Sequence, residues 1–183
     1  DTAEHEPDPA PLILAARQPE RVASIPLIAP GIFPRIDLST VEKFRVALSL
    51  AADRTRLFEV PLNDAKLFTN NSRWIEYFEK DALKLAKYSA MFLLSSRRLD
   101  REAARLGRSE YRGPVHLFLA GHERIIDNER TREWLRDLPS PDRRITEYPD
   151  GHHTLEFDVD PEAFFQDEVS WIVEREAAGA ASR

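Results

Sequence analysis

The chain has 183 residues, a net charge of −6 and a hydrophobic content of 42%. This length fits one domain of ordinary size, and ten Phe and three Trp can support a packed core. The acidic balance argues against nucleic-acid binding, for which a basic face is expected. The absence of cysteine excludes disulfides and thiolate–zinc sites, and no apolar run approaches the length of a membrane helix.

The first residues predict a tail, a short helix and a strand. Residues 1–11 are charged and rich in proline, which predicts a flexible tail. A short helix is predicted over residues 12–18, ending at Pro19. The apolar run at 23–29 predicts a buried strand, although Pro26 removes a donor from the ladder. Because an edge strand tolerates proline, we expect this strand at an edge of the sheet.

Residues 39–106 contain no convincing strand and are predicted to form a mostly helical insert, here called the cap. Ser39 is placed to cap a first helix, and Glu42 completes a capping box. Ser72 is predicted to cap a second helix, and Asp81 a third, longer one. The apolar side chains of the cap fit either a simple core or a lid over an acyl pocket. They include Phe44, Phe58, Phe68, Phe78, Met91 and Phe92.

The remaining residues alternate between strands and helices. Strands are predicted over Val115–Ala120 and residues 144–148, and helices over residues 128–138 and from Pro161 onward. This alternation implies an α/β fold with a parallel sheet and right-handed crossovers. The last helix is expected to pack on the sheet through three apolar positions. These are Phe165, Val169 and Ile172.

Two strand ends carry the residues with the clearest chemical pattern. Glu123 and Asp127 follow the strand Val115–Ala120, and His152 and His153 follow the next strand. An acid after one strand and a histidine after the next is the order of the last two members of the α/β-hydrolase triad. The serine of that triad sits in a G-x-S-x-G turn upstream of both, and this sequence contains no such motif.

Further segments resemble the α/β-hydrolase superfamily. Arg-Gln-Pro-Glu-Arg-Val at 17–22, followed by Leu-Ile-Ala-Pro-Gly at 27–31, is similar to the segment after the nucleophile. Residues 117–131 and 148–157 resemble the acid and histidine segments of the monoacylglycerol lipase and lysophospholipase branch, of the serine aminopeptidase S33 type. The resemblance covers about residues 12–172, which is most of the chain.

The resemblance implies the C-terminal part of an α/β-hydrolase fold, with a short parallel sheet, flanking helices and a helical cap. The partial core is expected over residues 12–38 and 107–178, with the cap at 39–106 between them. The strands at 23–29, 115–120 and 144–148 are expected side by side, in that order. The earlier strands and the oxyanion-hole loop of the family have no counterpart in the sequence.

Carried over residue by residue, the resemblance makes His153 the catalytic base and Glu123 the acid. The acid is usually Asp in this branch, and Asp127 is the alternative. The competing interpretations are an exposed Glu123 paired with a nearby arginine, and an Asp127 that caps the following helix. No residue of the chain matches the nucleophile. His152 is expected to have a packing or surface role.

No metal or other cofactor is expected. His152, His153 and Glu156 do not have the H-E-x-x-H spacing, and neighbouring loop histidines are a weak signal. The implied substrate is a small apolar acyl ester.

The leading hypothesis is a part of a cytoplasmic serine ester hydrolase that is inactive alone because the serine is absent. The alternative is a non-catalytic, hydrolase-like remnant that binds a hydrophobic ligand or a protein partner. The expected partners are an N-terminal hydrolase half, or a second copy bound through the exposed sheet edge. The chain start also lacks the basic-then-apolar layout of a signal peptide.

Overall fold

The computed structural model describes residues 10–181, with side chains placed as far as residue 177. Of the predicted tail, residues 1–9 lie outside the described part, and the last two belong to the first helix. Within the described residues, the α-helices are α1 (Ala10–Arg17), α2 (Thr40–Ala52), α3 (Ser72–Lys80), α4 (Ala90–Glu110), α5 (Asn128–Arg136) and α6 (Glu162–Ala181). The strands are β1 (Ile25–Ile28), β2 (Leu57–Glu59), β3 (Lys87–Ser89), β4 (Val115–Ala120) and β5 (Arg143–Tyr148). Short 3₁₀ helices occupy Pro19–Arg21, Ala65–Leu67 and Leu155–Phe157.

The central sheet has the order β1–β4–β5, and both pairings are parallel. This confirms the predicted strand order and direction. The amide of Ile25 donates to the carbonyl of Pro114, and the amide of Ala29 donates to the carbonyl of Phe118. The N–H groups of alternate β1 residues therefore point to β4, and the nitrogen of Pro26 points to the outer edge of the sheet. Among the described residues no strand pairs with this outer edge, so the proline leaves no hydrogen bond unmade there, and its predicted edge position is confirmed.

Helices α1, α4 and α5 cover one face of the sheet. The side chains of Ile25, Leu27 and Leu117 point to this face and are at most 8% exposed. They form the main core with apolar residues of the three helices. These include Leu12, Ala15, Ala16, Ala103, Leu106, Trp134 and Leu135. Removal of this apolar surface from water is the main stabilising contribution to the fold.

Helix α6 covers the opposite face, but not through the predicted residues. Phe164 and Trp171 are 2% and 1% exposed, and they pack on Phe118 and His116 with ring centroids 5.6 and 5.0 Å apart. The predicted packing positions are instead 40% to 57% exposed: Phe165, Val169 and Ile172. That prediction was wrong because the predicted positions form the uninterrupted apolar stripe of this helix, yet this stripe is exposed. The row that contacts the sheet carries the rings of Phe164 and Trp171 with the charged Glu168 between them.

The α6 face of the sheet is only partly covered near β1. Pro26 and Ile28 are register partners of His116 and Phe118, so their side chains point to this face. Both are half-buried, whereas the β1 side chains on the opposite face are buried. Together with the exposed stripe of α6, they leave an apolar surface in contact with solvent.

The cap contains a short antiparallel hairpin in addition to its helices. Strands β2 and β3 pair with Phe58 opposite Tyr88. The expectation of no strand in residues 39–106 was therefore wrong. Each strand has only three residues and none of the six is buried, so the sequence shows no alternating burial pattern there.

The helix starts of the cap were predicted with mixed success. The capping box of Ser39 and Glu42 is confirmed. The cap of α3 is Asn71 rather than Ser72. The longer helix begins at Ala90 after Ser89, and not after Asp81, because the intervening residues form a turn and β3.

Within residues 10–181, no α-helix combines the length and the apolar character that a membrane span requires.

Candidate active site

Two loops meet at the carboxyl ends of the paired strands β4 and β5. They are the acid loop, residues 121–127, and the histidine loop, residues 149–158. The amide of Gly121 donates to the carbonyl of Tyr148 at 2.8 Å, and the next amide of the acid loop donates to the carbonyl of Gly151 at 2.9 Å. The loops are therefore joined by backbone hydrogen bonds, at the edge where sites of parallel α/β sheets form.

Gly121 allows the two loops to approach this closely. A Cβ at this position would lie 2.2 Å from the carbonyl oxygen of Pro149, far inside van der Waals contact. The φ angle of Gly121 is not positive. Glycine is therefore required here by lack of space rather than by backbone conformation.

Glu123 and His153 meet across the two loops. The Nδ1 atom of His153 lies 3.0 Å from Oε1 and 2.9 Å from Oε2 of Glu123. The two side chains are 3% and 2% exposed. The structure thus brings together the histidine and the acid that the sequence singled out. Because a carboxylate only accepts, Nδ1 carries the proton and Nε2 is left as the basic nitrogen.

Backbone amides hold the carboxylate of Glu123 in place. Its Oε1 accepts hydrogen bonds from the amides of Ile125 at 2.7 Å and Ile126 at 3.1 Å. Burial acts to raise the pKa of Glu123, but the hydrogen bond and charge of His153 and the two amides outweigh it. The pKa of Glu123 therefore lies below its usual value of 4.5. The site favours an ionised carboxylate against the imidazole.

Asp127, the alternative acid, has a different set of partners. It is the N-cap of α5, and its carboxylate accepts from the amide of Arg130 at 3.1 Å. Its own amide donates to the carbonyl of Phe33 at 2.8 Å. The structure therefore places Asp127 at a helix start, where it satisfies an otherwise unpaired donor.

His152 is buried and belongs to a second histidine–acid pair that sequence reasoning missed. The amide of His152 donates to Oδ2 of Asp158 at 2.6 Å, and its Nδ1 lies 3.4 Å from the same oxygen. The two residues are 8% and 9% exposed. No spacing rule links an aspartate six residues after a histidine to such a contact, so no sequence pattern predicts it.

Four half-buried aromatic residues form a wall beside the dyad, here called the aromatic wall. They are Phe68, Trp74, Phe78 and Phe157. The rings of Trp74 and Phe157 are 4.4 Å apart, and the rings of Phe78 and Phe157 are 5.7 Å apart. The ring of Phe68 meets the imidazole of His153 edge-on, with ring centroids 5.9 Å apart. The cap and the histidine loop thus build one apolar surface next to the imidazole.

Other apolar residues of the cap face solvent. Phe44 and Phe92 are 65% and 44% exposed. Phe68, Trp74 and Phe78 of the cap thus join the aromatic wall while Phe44 and Phe92 face solvent, a difference that composition does not predict.

The described residues can perform acid–base chemistry, and they offer little for metal binding. A buried histidine held by a carboxylate can accept a proton at Nε2 and return it. Between residues 10 and 181, no group of three histidine, aspartate or glutamate side chains is placed to hold a metal ion.

Several solved structures share this fold. A monoacylglycerol lipase from Paleococcus ferrophilus matches 92% of the chain with a TM-score of 0.78 and 21% identity. A soluble variant of monoglyceride lipase from Saccharomyces cerevisiae also matches 92%, with a TM-score of 0.77 and 15% identity. The chain covers 65% and 59% of those two proteins.

The same fold also occurs with a different chemistry. A loop variant of a haloalkane dehalogenase from Bradyrhizobium elkanii matches 96% of the chain and is covered to 67%, with a TM-score of 0.57 and 18% identity. The shared fold therefore does not by itself specify a reaction.

No curated protein sequence matches the chain significantly. A family model does match it and shows its family. The model described as "Serine aminopeptidase, S33" matches residues 11–160, which is most of the chain. With the parallel sheet, and with an acid and a histidine at the ends of neighbouring strands, this match shows that the chain belongs to the serine aminopeptidase S33 family of α/β-hydrolases.

Proposed function

We propose that this chain supplies the base and the acid of a serine ester hydrolase that acts on a small apolar acyl ester. His153 is the general base, Glu123 orients its imidazole, and the aromatic wall receives the apolar part of the substrate. The observation that carries the proposal is the buried contact between Nδ1 of His153 and the carboxylate of Glu123, at 2.9 and 3.0 Å.

The chemistry follows from the protonation states. With Nδ1 held by the carboxylate, Nε2 of His153 takes the proton of a serine hydroxyl as it attacks the ester carbonyl. The same nitrogen then gives the proton to the leaving alcohol. The negative charge of Glu123 stabilises the imidazolium that exists between the two transfers. The similarity to two monoacylglycerol lipases supports an acyl ester as the substrate class.

The nucleophile comes from a further segment, either in the same polypeptide or in a separate one. The 183 residues contain no G-x-S-x-G turn, so this segment also supplies the donors for the oxyanion. We expect it to pack on the outer edge of β1 and on the exposed stripe of α6. The partial burial of Pro26 and Ile28 supports this location. Alone, the chain is expected to have no esterase activity.

A fusion protein tests the proposal. The nucleophile-bearing N-terminal third of a monoacylglycerol lipase is joined to the start of this chain, and labelling by a fluorophosphonate probe and hydrolysis of a short acyl ester are measured. We expect labelling and turnover in the fusion, and neither in the 183-residue chain. The matched variant His153→Gln should abolish both. Covalent labelling of a serine in the isolated chain, or turnover that His153→Gln leaves unchanged, contradicts the proposal.

A second candidate function is a non-catalytic chain that binds a hydrophobic ligand or a protein partner. The exposed stripe of α6, with Val169 57% exposed, favours a partner surface. A folded fusion without turnover, together with a self-associated or partner-bound native chain, supports this candidate over the first. A cytoplasmic location, predicted from the sequence, is part of both proposals.

A further inference from the structure

Hydrogen bonds fasten the histidine loop to the cap across 86 to 88 positions of sequence. Thr154 donates its amide and its hydroxyl to the carbonyl of Phe68, at 3.0 and 2.9 Å. The hydroxyl of Thr69 donates to the carbonyl of Phe157 at 2.8 Å. Thr69 is fully buried, so its bond is shielded from competition by water.

Asn71 connects this set of bonds to helix α3. Its Oδ1 accepts from the amide of Arg73 at 3.1 Å and caps the helix. Its Nδ2 donates to the carbonyl of Asp158 at 3.0 Å. A single side chain therefore fixes both the start of α3 and the end of the histidine loop.

Asp158 continues the connection towards His153. Its Oδ2 accepts the amide of His152 at 2.6 Å, and its Oδ1 accepts the amide of Val159 at 2.9 Å. Asp158 is 9% exposed. Since His152 directly precedes His153, a displacement of Asp158 moves the backbone that carries the imidazole.

Helix α3 is the element of this connection most open to an outside influence. None of its residues is fully buried. It is held by its cap, by the ring contacts of Trp74 and Phe78 with Phe157, and by the contact of Phe78 with Phe68. A helix with so little buried surface is easily displaced or loosened, and a ligand against its aromatic side stabilises it.

We propose that Asn71 and Asp158 are positioning residues that couple helix α3 to the orientation of His153. The catalytic meaning of this inference rests on the proposed function. When the apolar part of a substrate lies on the aromatic wall, it stabilises α3. Through Asn71 and Asp158 it then holds the imidazole against Glu123. The base is held most firmly when the substrate is present.

The test uses the 183-residue chain and the variant Asn71→Ser. Serine keeps an oxygen for the cap of α3, but it has no amide donor for the carbonyl of Asp158. The measurement is the exchange with water of the Nδ1 proton of His153, followed by NMR and assigned through its loss in His153→Gln. We expect exchange to become about fivefold to tenfold faster, as for the loss of one hydrogen bond. Urea unfolding should show a smaller effect on the whole fold.

Asp64→Ala is the matched control. Asp64 caps the neighbouring 3₁₀ helix Ala65–Leu67 through the amide of Lys66, and it has no hydrogen bond to the histidine loop among the described contacts. This variant should leave the exchange rate unchanged. If Asn71→Ser does not fold, Asn71→Asp provides the second variant, because aspartate caps helices well and also lacks the donor.

The outcomes separate the two proposals. Unchanged exchange in the folded Asn71 variants, or an equal increase in Asp64→Ala, overturns the coupling and leaves the proposed function intact. A His153 proton whose exchange is insensitive to Glu123→Gln contradicts the contact on which the proposed function rests.

Discussion

The imidazole of His116 lies edge-on against the indole of Trp171, with ring centroids 5.0 Å apart and an interplanar angle of 66°. Its Nε2 is 2.8 Å from the hydroxyl of Thr146. Burial, followed by the charge of Arg144, lowers the pKa of His116 below its usual value of 6.5. The fold therefore favours the neutral ring, and protonation places a charge beneath helix α6.

Stability should consequently depend on pH through His116. Because its pKa is lower in the folded than in the unfolded chain, its contribution is present above the unfolded pKa of 6.5 and is lost as the pH falls through the folded value. We expect the free energy of unfolding in urea to decrease over this range. The variant His116→Gln should show a flatter profile, and identical profiles would contradict the prediction. The pKa of Glu123 is also lower in the folded chain, so its contribution to stability is likewise lost as the pH falls, but below its usual pKa of 4.5.

The neighbours Trp171 and Ile172 should differ sharply in their contribution to stability. Trp171 is 1% exposed and Ile172 is 43% exposed. We expect Trp171→Ala to cost about 3–5 kcal/mol and Ile172→Ala about 1 kcal/mol or less. Urea midpoints of the two variants provide the comparison. The reverse order would mean that α6 packs through the stripe that the sequence pattern favoured.

Gly121→Ala should disturb both stability and the candidate site. The new Cβ would lie 2.2 Å from the carbonyl oxygen of Pro149, so the acid and histidine loops must separate. We expect a loss of about 1–3 kcal/mol and faster exchange of the His153 Nδ1 proton. Gly151→Ala is the comparison, since its nearest neighbour is a side-chain methyl group of Leu155 at 2.8 Å and its nearest backbone atom, the carbonyl oxygen of Tyr148, is 3.1 Å away, so we expect a smaller loss there. A smaller loss at Gly121 than at Gly151 would argue against the close approach of the loops.

Substitution of each acid should separate catalysis from helix capping. In the active fusion, Glu123→Gln should lower kcat by up to about 10⁴-fold, as for the same type of change in a Ser-His-Asp triad, because the charged partner of the imidazole is lost. Asp127→Ala should cost about 0.5–2 kcal/mol through the lost cap of α5 and leave kcat nearly unchanged. Turnover and urea unfolding of both variants are the measurements. If Asp127→Ala gives the larger loss of kcat, Asp127 is the functional acid.

Parts of the fold could be predicted because burial leaves a pattern in the sequence. All six residues of β4 are buried, and a strand buried on both faces is a continuous apolar run. Strands β2 and β3 have no buried residue, so no such pattern marks them. On α6 the pattern favours the wrong face: Phe165, Val169 and Ile172 form an uninterrupted apolar stripe, whereas the buried row of Phe164 and Trp171 has Glu168 between them. The choice between the two faces depends on His116 and Phe118, which lie about 50 positions earlier.

The candidate site was predictable to a similar extent. Glu123 and His153 follow consecutive parallel strands, and the carboxyl ends of neighbouring strands lie side by side. Their proximity therefore follows from local motifs and their order. The contact of Asn71 with Asp158 joins residues 87 positions apart. No sequence pattern links these two positions, so their contact becomes visible only in the folded chain, where the cap lies against the histidine loop.

The nitrogen of Pro26 lies on the outer edge of β1 and has no hydrogen to donate. The edge therefore favours some pairing strands over others. Two copies that met edge to edge about a two-fold axis would each contribute a proline to the same ladder. Such a symmetric pair would lack two donors, and of the strand residues only Ile28 in each copy would offer an outward N–H. A strand of different sequence meets a single proline and loses one hydrogen bond. The edge therefore disfavours self-pairing more than pairing with another strand.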